Sequence, residues 1–164
     1  MLPVVIVRFR KARHAERPHT FTCIRDDGTT TGQASTEFFV RHDLTHFAVE
    51  SVLEFREAFY GLLSEGWEVT SFEERDPGSR KSRKLPPEAI AAEIIAGDLD
   101  RLLGLSWRMT GPQITESVAG QLESAGLGFP HPSIFQIERI LGMRKELLIA
   151  WSALAPGQTM ELVF

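Results

Sequence analysis

Residues 3–10, Pro-Val-Val-Ile-Val-Arg-Phe-Arg, are dense in β-branched and aromatic side chains and predict a strand. Two more β-prone runs, 19–25 and 29–35, flank Asp26-Asp27-Gly28. An Asp-Gly step between such runs predicts a hairpin. From about residue 42 to 64 the period becomes helical. Leu44, Ala48, Val52, Phe55, Phe59, Leu62 and Leu63 fall on one half of the wheel. His42, Asp43, His46, Glu50, Glu54 and Glu57 fall on the other half, with Leu53 and Tyr60 set among them. Gly66 supplies a stop, and Trp67 to Glu73 reads as a short strand.

Residues 76–84 form a polar, basic loop. Pro86-Pro87-Glu88 then opens a helix that runs to about Leu103. Thr110 and Gln113 have capping-box spacing for a third helix that ends near Gly126. Ser133 caps a fourth, striped by Ile134, Ile137, Leu141, Leu148 and Trp151 and broken at Pro156-Gly157. Thr159 to Phe164 reads as a terminal strand. The order β-β-β-α-β-α-α-α-β predicts an α+β fold. The expected sheet is mostly antiparallel, made of the N-terminal hairpin and the terminal strand. About four helices pack against one face, in a single domain over 1–164.

Charge changes this picture more than bulk composition does. The net charge of −4 conceals blocks of opposite sign. Residues 1–25 carry six Lys/Arg against one Glu, and residues 26–76 carry twelve acids against three Arg. Residues 77–84 hold four bases and no acid. The acidic block contains both histidines of the helical run. Such a setting favours a cation and argues against phosphate or nucleic acid on that face. No apolar run approaches the length of a membrane span, and the N-terminus reads as a strand rather than a signal peptide. Cys23 is the single cysteine, so no internal disulfide forms, and a cytoplasmic location is expected.

The chemistry concentrates in His42-Asp43-Leu44-Thr45-His46. Residues four apart on a helix share a face, so two imidazoles there can hold one divalent metal, zinc being the first choice. Glu50 continues the same step, but His42 to Glu50 spans about 12 Å of helix axis, too long for one ion. The third ligand therefore stays open among Glu57, Glu93, Asp98, His14, His19 and His131. Asp43 stands as the candidate acid–base residue. These ligands also permit Mn, Fe or Ni. The pairing depends on the helix starting before residue 42. If Asp43 is instead the N-cap, following an extended Phe38-Phe39-Val40, His42 falls outside the helix.

The fragment Arg41-His42-Asp43-Leu44-Thr45-His46-Phe47-Ala48-Val49-Glu50 resembles a family of small bacterial proteins of unknown function, over about residues 38–66. The His-Asp-x-x-His core is also similar to a ubiquinone-biosynthesis family, in which that core and a later Glu are thought to bind zinc. Ala58 occupies the matching position here. The core further resembles the His-Glu-x-x-His of zinc peptidases, with the shorter Asp43 in place of Glu, and the His-Asp doublet of the HD phosphohydrolases. These likenesses imply His42 and His46 as ligands and Asp43 as a supporting acid.

Two functions follow as expectations. One is a metal-dependent hydrolase or lyase. The other is a non-enzymatic interaction module that displays an acidic helix face. The partner expected is a small molecule or another protein, not nucleic acid or a membrane. Arg80-Lys81-Ser82-Arg83-Lys84 reads as a solvated loop, Arg8, Arg10, Lys11 and Arg13 as a protective basic sheet edge, Cys23 as a small buried residue, and Trp67, Trp107 and Trp151 as core.

Overall fold

The computed structural model describes residues 4–72, 84–105 and 109–164. Four strands form one antiparallel sheet: β1 (Val5–Arg10), β2 (His19–Arg25), β3 (Thr30–Ser35) and β4 (Thr159–Val163). Their spatial order is β3-β2-β1-β4. The Asp26-Asp27-Gly28 turn joins β2 to β3. Gly28 takes a left-handed φ of 81°, and Asp27 Oδ1 accepts from the Thr29 amide at 2.8 Å. β1 lies inside the sheet, so its basic residues do not form the expected edge. Arg8 instead pairs across the sheet with Glu161 at 2.6 Å.

Alternation along the strands sends Val5, Val7, Phe9, Phe21 and Cys23 into the core. Among the described residues five helices follow: α1 (Glu37–Leu53), α2 (Phe59–Ser64), α3 (Pro87–Leu105), α4 (Gly111–Ser124) and α5 (Ile134–Ala153). The α+β expectation thus stands, with the later helices where the pattern placed them. Thr110/Gln113 and Ser133/Gln136 both form capping boxes. Among the described residues no helix is long and apolar enough to cross a membrane.

Both ends of α1 differ from the expectation. Thr36 is the N-cap, and its hydroxyl accepts from the Phe39 amide. Phe38-Phe39-Val40 are therefore helical, and Asp43 lies inside the helix rather than at its cap. α1 ends at Leu53, where Glu54 turns left-handed at φ 57°. A turn follows, and its Arg56 and Glu57 amides donate to the Glu88 carboxylate at 2.7 and 2.6 Å. The expected strand from Trp67 is a 3-10 turn over Val69–Phe72. Side chains meet its backbone instead of a β-ladder. Thr31 Oγ1 accepts from the Val69 amide, and Arg25 donates to the Trp67 carbonyl at 2.6 Å. The 76–84 loop, apart from Lys84, and Trp107 lie outside the described residues. Of the other tryptophans, Trp151 is buried and Trp67 half-buried.

α1 serves two cores. Val40, Leu44 and Phe47 join the sheet, Tyr60, Leu63 and Trp151 in one. Val49 and Val52 join Ile95, Leu99, Val118 and Ile137 in the other. A helix packed on two sides has little solvent face. Thr45, His46 and Glu50 are consequently buried, although the sequence wheel assigns His46 and Glu50 to an outer face. Glu54 and Glu57, the other acids of that half of the wheel, stay exposed.

Candidate metal centre

α1 crosses α3, whose Ala91, Ala92 and Ala96 are fully buried. Their small side chains let the two helices approach. His42 and His46 stand one turn apart on α1, with ring centroids 4.7 Å apart. Across from them α3 carries Glu93 and Asp100. His46 Nε2 donates to Glu93 Oε2 at 3.0 Å, and His42 Nε2 lies 3.7 Å from the same oxygen. His42, His46 and Glu93 thereby offer three ligand atoms within 4.8 Å of one another, close enough to hold a metal ion.

The opposite nitrogen of each ring is also held. His42 Nδ1 donates to Asp100 Oδ2 at 2.9 Å. His46 Nδ1 donates to Glu50 Oε1 at 3.1 Å. A carboxylate can only accept, so each ring carries a proton at Nδ1, and Nε2 is the atom whose proton a metal would replace. Asp100 is held in turn by Thr45 Oγ1 at 2.8 Å and Arg144 Nη2 at 3.0 Å. Glu50 is fully buried, and its other oxygen accepts from the Tyr60 amide at the start of α2, at 2.9 Å.

The charges explain the titration behaviour. Hydrogen bonds to Asp100 and Glu93 push His42 up to about 9, against the lowering effect of burial. Burial lowers His46 too, but Glu50 and Glu93 outweigh it and bring the imidazole up to about 10. Hydrogen bonds from both histidines hold Glu93 far below the usual carboxylate range. Burial raises Glu50, and burial likewise raises Asp43 to about 7.

A pH dependence follows. Both histidines titrate above their ordinary 6.5 when folded. Their protonated pairing stabilises the metal-free chain fully below that value and is lost as pH rises through about 9 and 10. A metal must displace the same protons. Zn²⁺ is therefore expected to raise the melting temperature little at about pH 6 and much more at about pH 8.5. Thermal melts with and without Zn²⁺ check this, and an equal shift at both values would count against imidazole ligation.

The sequence-derived residues separate clearly. His42 and His46 come together on one face, as expected of a helix that starts before residue 42. Glu50 sits at Nδ1 of His46, on the side of the ring away from Glu93, and serves to orient that ring. Glu57 lies past the end of α1, exposed, with its amide on Glu88. Asp43 is half-buried, and among the described residues nothing donates to its carboxylate. Of the other residues offered as a third ligand, Asp98 pairs with Arg101 and Ser117, His19 with the Ala12 amide and Glu37, and His131 lies 3.8 Å from Glu123. His14 lies in the β1–β2 loop, outside the cluster. Cys23 is buried, and burial pushes its thiol up to about 12.

Asp100, Thr45 and Arg144 were not anticipated. A trace was present in the seven-residue step from Glu93 to Asp100, two turns along one helix. Compared with protein-family models, curated proteins and solved structures, the chain matches none, so the geometry of His42, His46 and Glu93 alone carries the functional reading.

Proposed function

We propose that this chain binds a divalent metal, Zn²⁺ first among the candidates, through His42, His46 and Glu93, and that the centre serves a hydrolase or lyase reaction. The observation that carries the reading is the double anchoring of the rings. Each Nδ1 is tied to a carboxylate and each Nε2 is turned toward Glu93. Two His and one carboxylate suit zinc, and the same set suits non-haem iron. Three protein ligands leave coordination positions free, the layout of a catalytic rather than a structural site. The Glu93 side chain is 62% exposed, which supports access from solvent.

A bound ion supplies Lewis acidity to a substrate oxygen. Asp43, adjacent to His42 and without a hydrogen-bond donor among the described residues, is the proposed proton acceptor. Elemental analysis of tag-free protein should find about one metal ion per chain. The Zn²⁺-loaded chain should hydrolyse an activated ester such as para-nitrophenyl acetate faster than the metal-free chain. Asp43→Asn should keep the ion and lose that gain. Absence of metal uptake, together with no thermal shift on adding Zn²⁺, would overturn the metal reading. Full activity in Asp43→Asn would overturn the role of Asp43 alone.

A further inference from the structure

A cavity of about 230 Å³ opens on the Asp100 side of His42, lined by Phe38, Arg41, His42, Asp100, Leu103 and Arg144 among others, with His46 and Glu93 outside its wall. Arg41 and Arg144 also line a second cavity of about 590 Å³, which adds Lys145, Leu148 and Ile149 and has no acid in its wall. Together the two present three cations against the single carboxylate of Asp100, in a chain of net charge −4.

That carboxylate is already committed to His42, Thr45 and Arg144. Arg144 uses Nε on Thr45 and Nη2 on Asp100, and among the described residues nothing accepts from its Nη1. Arg41 meets Glu37 no closer than 4.0 Å, and its side chain is 47% exposed. Both guanidinium groups thus keep donors free for an oxyanion, which they recognise through paired N–H groups. Phe38 lies parallel to the His42 ring, 2° from coplanar at 6.3 Å, and forms an apolar wall over the imidazole.

Resting on the metal centre proposed above, we infer that this pocket receives the oxyanion end of a small-molecule substrate, a carboxylate or a phosphoryl group. Arg41 and Arg144 hold that end beside His42. The apolar remainder lies along α5 toward Leu148 and Ile149. The acidic block around the histidines suits the cation, and Arg41, directly before His42, and Arg144 on α5 suit the substrate's charge. Opposite charges are thereby sorted to the two sides of the His42 ring.

The test titrates the Zn²⁺-loaded chain with inorganic phosphate and, separately, with butyrate, by calorimetry. At least one should bind, and Arg41→Gln should weaken it about tenfold or more with Zn²⁺ stoichiometry unchanged. Arg41→Lys should restore part of the affinity. Tighter binding of phosphate assigns a phosphoryl group, and tighter binding of butyrate assigns a carboxylate with an apolar tail. Zinc uptake with no anion binding, or with anion binding indifferent to Arg41→Gln, overturns the pocket while the metal centre stands. Failure to take up zinc overturns both.

Discussion

Replacing Glu93 by Gln is expected to lower the affinity for Zn²⁺ at least about 100-fold, which corresponds to about 2.7 kcal/mol. The amide keeps the shape of the side chain but removes the anionic ligand shared by both Nε2 atoms. With its side chain 62% exposed, Glu93 contributes little to folding through its ion pairs, which solvent screens. The metal-free variant should therefore melt within a few degrees of the parent at about pH 8. Competition with a chromophoric chelator measures the affinity, and circular dichroism checks the fold. An unchanged affinity would remove Glu93 from the ligand set and return the question of the third ligand to the rest of the chain.

Glu50→Ala should show the opposite balance, with a large loss of stability. Its carboxylate is buried and accepts from His46 Nδ1 and the Tyr60 amide. Truncation leaves a raised-pKa imidazole without its buried counter-charge and the first turn of α2 without an acceptor. Breaking a buried pair by removing one member costs about 3–5 kcal/mol. Glu50→Gln keeps an acceptor for Tyr60 and should lose clearly less. Denaturant unfolding of the metal-free proteins at about pH 7 measures both. A loss below about 1 kcal/mol in Glu50→Ala would mean that the contact contributes little to folding, and that Glu50 is retained for its effect on His46.

The sequence made the four strands, α4 with its capping box and the Ser133 start of α5 legible because each is signalled locally, by β-prone runs, Asp-Gly, Thr-x-x-Gln or a capping Ser, whereas the strand order was not. The ends of α1 were not legible, for different reasons. At the start, Thr36 competes with Asp43 as a cap, and both are good cap residues. At the end, no glycine or proline marks residues 54–58. The break is stabilised by Glu88, more than thirty residues away, which accepts from the Arg56 and Glu57 amides. The site divides in the same way. His42 and His46 are a local pair visible as a spacing. Glu93 and Asp100 join them only through the packing of α1 on α3, and no local pattern ranks Glu93 above the other acids.

The 47-residue separation of His46 and Glu93 gives the centre another significance. An ion held by both fastens α1 to α3 and closes that length of chain into a loop. Cys23, the single cysteine, is buried and free, so no disulfide can tie the chain. Metal coordination would then be its one internal cross-link. Spreading the two helices would release such an ion, and a loaded ion would keep them together.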